Sequence, residues 1–542
     1  MSRSTSRTRS EIETPNGPIR RPDLDRVDSL RALSVASEPG LNPLEPKWPS
    51  GWRPYAALFG GFLLMFNSWG LVNAYGTYAS YYKQYLLPGR DLLLFNLVGS
   101  TQSFVVLILS AIVGRFLDAG YSRHLIVLGT VLVSLGTFLL SVVNGDGGYE
   151  QGNYILIWLT QGLISGLGMA CFFVSSSQVV ATWFKAKKGF AVGIVASGAS
   201  IAGLIYPMMT KFLIVAVGFN DAVRYVATVV TLTAFLAIFL ARPNPEHIVR
   251  KPETWVKVSV WVDKHAFSNA SFAWFTAGIC FMFFGFYAVF FNLEEWAAAE
   301  GLGYKDAIEG VPEIEVTDWE ERGRNRGIRT FWLLSIMNAS STLGRLSSAY
   351  LCDHFGALNV HCIVTFIAAI LVLVGWTLSK TVAAAIVFVV LFGIFSGAVI
   401  GLPPASVAYI LGPRPEAQAK LGQWTGMMYS SAAVFALTGP VIAGHLITEY
   451  GENYLTVQCW SGANLFMAAV CMGIAIFYRR RQSAREWLSE KRRRLSTSVT
   501  SSRYNLKKEK STTASLNENE TDKESVDIRE KENAGEVQSQ HV

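Results

Sequence analysis

Charge is what this chain of 542 residues has least of. Asp, Glu, Lys and Arg make up 16% of it, against roughly a quarter in a soluble globular protein. Cysteine is scarce, and Cys171, Cys280, Cys352, Cys362, Cys459 and Cys471 all lie within or at the ends of apolar runs. None has the paired spacing of a zinc or redox site, so they read as packing residues. No His-rich, paired-carboxylate or Ser/His/Asp grouping occurs at membrane depth, so no enzyme, catalytic residue, metal site or cofactor is expected. The first 50 residues are rich in Ser, Arg and Pro and hold no apolar core of a cleaved signal peptide. They read as a disordered tail.

Apolar residues are abundant instead, at 51% with a mean hydropathy of +0.31. A spanning helix needs about 20 mostly apolar residues. Twelve stretches approach that, near 54–79, 92–113, 124–143, 154–178, 188–211, 222–241, 269–291, 329–350, 360–379, 382–402, 423–446 and 455–478. Membrane β-barrels show short alternating segments, which this chain lacks. The expected fold is an all-α polytopic membrane protein with 12 transmembrane helices in two six-helix halves.

Basic residues in short loops set the orientation. Lys185, Lys187 and Lys188 follow span four; Arg242, Arg250, Lys251, Lys257 and Lys264 follow span six; Arg479 to Arg481 follow span twelve. Both termini therefore belong in the cytoplasm. Residues 1–50 form the first tail, 51–241 the N-terminal half, 242–268 a cytoplasmic linker, 269–480 the C-terminal half and 481–542 a basic, polar tail. The stretch 293–327, with Glu294, Glu295, Glu300, Glu313, Glu315, Asp318, Glu320 and Glu321, reads as an acidic external loop, either a lid or, as the favoured reading, a plain disordered insertion. The net charge of +7 belongs largely to the cytoplasmic face, where it favours anionic lipid and gives no sign of nucleic-acid binding.

One short pattern occurs twice, each time after the second apolar span of a half. Gly114-Arg115-Phe116-Leu117-Asp118 is followed by Gly120 and Arg123; Ala349-Tyr350-Leu351-Cys352-Asp353 is followed by His354 and Gly356. The pair points to a duplicated bundle of the kind seen in secondary transporters. Small residues recur at three- and four-residue spacing in spans five and ten, allowing close helix packing. Pro404 and Pro440 are places where a helix can bend.

An ionisable side chain inside a span is a functional candidate by default. Arg345 lies eight residues before Asp353, roughly 12 Å inside the span, and its guanidinium can hold a carboxylate bidentately. Asn338 shares its helical face. Asn67, Asn73, Tyr75, Gln178, Ser197, Ser200, Tyr206, Tyr287, Asn292, Gln423 and Tyr429 mark helices that line a wet cavity. Spans one, four, five, eight, ten and eleven carry no Asp or Glu away from their ends, so proton coupling is not expected.

With these residues the chain resembles the major facilitator superfamily, whose loop motif is approximated by Gly114, Asp118 and Arg123, and again by Asp353, His354 and Gly356. It is similar in particular to the fungal monocarboxylate-porter-like branch. That resemblance runs from about 50 to 480 through Gly51-Trp52, the run 197–207, Asn338-Ala339-Ser340 with Gly344-Arg345, the run 353–359 and Gly439-Pro440. It implies two rocking halves around a central cavity, with Asp118 and Asp353 of the loop motif holding helix ends together in one conformation. Gly114, Arg115, Arg123 and Gly356 of the two motif copies, and Pro404 and Pro440 as bending points, are the other expected gate residues. It also implies a span-eight Arg on the substrate carboxylate, a place that Arg345 matches. A Lys important in animal relatives falls near Asn73, which is neutral, and this puts proton–lactate cotransport in doubt. Arg345, Asn338, Asn73, Tyr287 and Tyr429 are the expected substrate-binding residues. The expected function is alternating-access transport of a small acidic or amphipathic metabolite, leaning to efflux of a secondary metabolite. Uptake of a monocarboxylate or vitamin, and a transporter-like nutrient sensor, are the alternatives. The expected partners are the small-molecule substrate and membrane lipid, with the protein working as a monomer in the cell membrane or in a vacuolar or other internal membrane.

Overall fold

The computed structural model describes residues 49–184, 188–245, 255, 261–305, 328–412, 415–418, 420–451, 453–489 and 491. The tails expected to be disordered (1–48 and 492–542), most of the linker, the acidic stretch 306–327 and the Asp353 side chain lie outside the described residues.

Among the described residues helices dominate. They are α1 (Trp52–Leu86), α2 (Leu92–Asp118), α3 (Ser122–Leu140), α4 (Tyr154–Ala181), α5 (Lys188–Val217) and α6 (Phe219–Leu240). After the linker come α7 (Ala270–Ala299), α8 (Phe331–Phe355), α9 (Ala357–Trp376), α10 (Val382–Gly401), α11 (Leu421–Glu449) and α12 (Leu455–Ser489). Eleven are long and apolar enough to cross a membrane. The exception is α8: its 25 residues span roughly 37 Å, but Asn338, Arg345 and His354 make it more polar. All twelve fall where apolar runs place them. The chain divides into two compact units, one ending at Ala475 and one beginning at Ile476. In the second, Arg479 and Glu486 pair at 3.9 Å.

Local chemistry fixes the ends and breaks. Asp91 caps α2 by accepting from Leu93 N at 2.9 Å, and Asn269 caps α7 through Ser271 N and Phe272 N, supplying acceptors to otherwise orphaned amides. α1 breaks at Asn67-Ser68, between Phe66 and Trp69. The break is held by its neighbours: Tyr206 donates to Asn67 Oδ1 (2.7 Å), Asn67 donates to Thr233 (2.8 Å), and Ser68 donates to the Met169 carbonyl (3.0 Å).

Across the two sets of six, α5 packs on α8, α2 on α11 and α1 on α7. A methyl at Gly344 would overlap the Ile394 carbonyl, and one at Gly439 the Phe284 carbonyl. These glycines let helix backbones touch, which is how helices associate in lipid.

Two expectations need correction. The bend expected at Pro404 is a full interruption: α10 stops at Gly401 and Pro403–Leu411 forms a separate helix with proline in its first turn, where the missing amide costs nothing. The acidic loop does not begin at 293. α7 continues to Ala299, and Glu294 and Glu295 are buried at 1% and 6% exposure. Both carboxylates meet lysines, so their charge marks ion pairing within the fold.

Candidate functional site

The break in α1 turns Trp69 into a cluster of aromatic side chains. Its ring stacks on Tyr287 of α7, with centroids 5.5 Å apart and planes at 11°. Phe173 of α4 meets Trp69 edge-on at 5.5 Å and Tyr429 of α11 at 5.1 Å. Phe283 completes the group against Tyr287 and Tyr429. All five are buried, so the rings close on one another, drawn from helices on both sides of the linker. Ring faces and edges in this arrangement suit a flat, partly apolar guest.

Arg345 stands beside this box, 5% exposed and within electrostatic reach of the Tyr287 phenol. Its Nη1 donates to the Ala196 carbonyl of α5 at 2.7 Å, while Nε is buried without a hydrogen-bond partner. Among the described residues no carboxylate pairs with it. An uncompensated buried cation costs several kcal/mol, and it retains capacity for a bidentate acid.

The other expected contacts sit nearer to helix interfaces. Asn73 donates weakly to the Ala199 carbonyl at 3.4 Å. Asn338 donates to the Leu334 carbonyl at 3.0 Å and lies against Gly203 of α5, with Oδ1 buried and unpartnered. The structure thus brings Arg345, Tyr287 and Tyr429 together, with Asn73 and Asn338 in the α1–α5 and α5–α8 contacts. Trp69 escaped the sequence reading because no glycine or proline marks the break before it. By sequence Phe173 and Phe283 belong to aromatic-rich spans whose rings suit either a bulky, partly apolar ligand or the surrounding lipid, and their burial shows that these two face inward.

The ends of the bundle are closed by different chemistry. At the α2 terminus Arg115 pairs with Asp118 at 3.4 Å. The Asp118 carboxylate and Gln178 both lie against Gly422, at the start of α11, where amide dipoles favour a negative charge. Gly114 borders Gln178, and Arg123 is exposed. Gly356 joins α8 to α9 at φ 80, a left-handed conformation that glycine adopts without strain. The linker packs here too. Phe116 stacks on Trp255 at 5.0 Å, while Asp263 meets Lys420 Nζ at 2.9 Å and Trp424 Nε1 at 3.2 Å. Burial alone would raise the Asp263 carboxyl; hydrogen bonds from Lys420, Trp424 and the His265 amide hold it below its ordinary 3.8. A cavity of about 520 Å³ lies between this linker, α2 and α11, lined by Ala111, Trp261 and Met427 among others. At the opposite end Asn96 donates to Asn292 (3.2 Å) and to the Pro440 carbonyl (2.9 Å), and Thr448 donates to Asp91 (2.8 Å). Pro440 thus lies inside α11 at a contact with α2.

A multi-pass helical bundle with a buried, inward-facing site between its first and last six helices is the architecture of a membrane transporter. The chain matches the sequence model of the Major Facilitator Superfamily over residues 57–419 and 330–516 and belongs to that superfamily. It is therefore a transport protein that carries small molecules. It is 28% identical to the aspyridones efflux protein apdF of Emericella nidulans, over 82% of each chain. It is 29% identical to the MFS-type transporter hasB of Aspergillus fumigatus, over 81% of this chain and 93% of that one. Among solved structures the E. coli fucose:proton symporter FucP shares the fold at a TM-score of 0.50 and 14% identity, covering 79% of this chain and 98% of its own.

Proposed function

We propose that this transporter exports an organic metabolite bearing a carboxylate or similar anionic group on a bulky, partly apolar body. The observation that carries this reading is Arg345, a buried cation without a counter-carboxylate among the described residues, set beside the box of Trp69, Phe173, Phe283, Tyr287 and Tyr429. Arg345 takes the anionic group, the rings take the apolar body, and Asn73 and Asn338 supply polar contacts at its margin. The efflux named for the Emericella nidulans relative supports the outward direction.

Transport runs by alternating access between the halves 51–241 and 269–480, with α8 crossing the membrane as the other eleven helices do and both termini in the cytoplasm. The Asp118 end is the cytoplasmic gate, worked by Gly114, Arg115, Asp118 and Arg123 with Asp353 and Gly356. The break between α10 and the helix with Pro404 in its first turn, and Pro440 within α11, let these segments give way. The protein works as a monomer in the cell membrane, carries no cofactor and performs no chemical step. Its branch is the monocarboxylate-porter-like one. Metabolite profiling of cells and medium, with and without the gene, tests the reading. An acidic metabolite that builds up inside and falls outside on deletion supports export; the reverse distribution overturns it.

A further inference from the structure

The end of the bundle where α1, α5 and α7 finish holds five charged side chains that the proposed binding site does not use. Lys83 Nζ lies 3.6 Å from Glu295 Oε2, and Lys305 hydrogen-bonds the same carboxylate. Lys211 Nζ lies 3.4 Å from Glu294 Oε1. Both Glu294 oxygens are buried without a hydrogen-bond partner, so that contact is an ion pair lacking hydrogen-bond geometry. All but Lys83 are under one-tenth exposed. Arg329, over the ring of Phe212 at 5.9 Å, adds a further cation.

The helices divide these charges unequally. Lys83 belongs to α1, in a π-helical last turn, and Lys211 to α5. Glu294 and Glu295 belong to α7, and Lys305 follows it in sequence. If the first six helices swing away from the last six at this end, Glu295 keeps Lys305. The Lys83–Glu295 and Lys211–Glu294 pairs must part. The first wall is then left with two ammonium groups facing the opened passage. The cost is modest, because opening admits water to charges whose burial nearly cancels their attraction.

We infer that this cluster is an ion-pair lock on the outer exit, and that Lys83 and Lys211, once released, form an anion subsite for the carboxylate of the departing substrate. The inference rests on reading the protein as an exporter of anionic metabolites. The substrate's carboxylate replaces Glu294 and Glu295 on the two lysines, so the anion itself holds the exit open.

The test uses Ser80, fully buried beside Glu295. A Ser80→Cys reporter is placed in full-length protein whose six native cysteines have been replaced. The reconstituted protein is labelled from outside with a membrane-impermeant maleimide. Glu294→Gln and Glu295→Gln are each expected to speed labelling about tenfold. Lys211→Glu combined with Glu294→Lys restores the pair in reverse and slows labelling again. External naphthoate speeds labelling of the parent, while neutral naphthalene methanol does not. The reversed pair, whose α5 wall now carries a carboxylate, ignores both. Labelling unchanged by the glutamine variants overturns the lock. A parent indifferent to naphthoate, or a reversed pair that still responds, overturns the subsite. Labelling reads the exit alone, so failure of the export reading shows separately in the metabolite profiles.

Discussion

Replacing Arg345 by methionine should damage function without damaging the fold. In the structure the side chain has one hydrogen bond, to the Ala196 carbonyl, and no counter-carboxylate among the described residues. A hydrogen bond to a charged group contributes about 1.5–3 kcal/mol, while an uncompensated buried cation costs several. Methionine fills similar space and removes the cost, so the thermal midpoint of Arg345→Met should equal or exceed that of the parent. The substrate's anion loses its charged partner and with it about 1.5–3 kcal/mol, roughly a ten- to hundredfold loss in affinity. The assay pairs thermal unfolding in detergent with substrate binding to the same preparation. A midpoint several degrees lower with binding intact would refute the reasoning, because Arg345 would then be a packing residue.

Gly344→Ala, which forces a methyl against the Ile394 backbone, should destabilise the α8–α10 contact by about 1–3 kcal/mol. Gly473→Ala, which meets nothing within 4 Å, should leave the unfolding midpoint near the parent's. Trp69→Phe should keep the fold and weaken an aromatic substrate by about three- to tenfold in a binding titration, whereas an unchanged value removes Trp69 from the site. Asp263 has a lowered carboxyl pKa, so its stabilising contribution is fully present above 3.8 and fades as pH falls through the lower folded value. Proteolysis of the linker should speed up in that acid window, and Asp263→Asn should remove the pH dependence.

Span positions were legible because apolar length is written directly in the chain, and the twelve runs became α1 to α12 with mostly longer ends. Arg345 was legible for a related reason: a cation within an apolar run has no local explanation. Glu294 and Glu295 were misread as loop because acidic residues run on to Glu321. Only the fold brings Lys211 and Lys83, distant in sequence, to these carboxylates. Trp69 was hidden because the α1 break depends on Tyr206, Thr233 and Met169 from three other helices. The two loop motifs were visible from spacing, but the Gly422 contact of Asp118 is purely tertiary.

The central claim is that Arg345 reads the negative charge of the substrate. It is tested most directly in liposomes, by comparing transport of the identified acid with that of its neutral methyl ester. The parent should prefer the acid by about tenfold or more, and Arg345→Met should move both at similar rates. An Arg345→Met protein that still discriminates as the parent does would contradict the account.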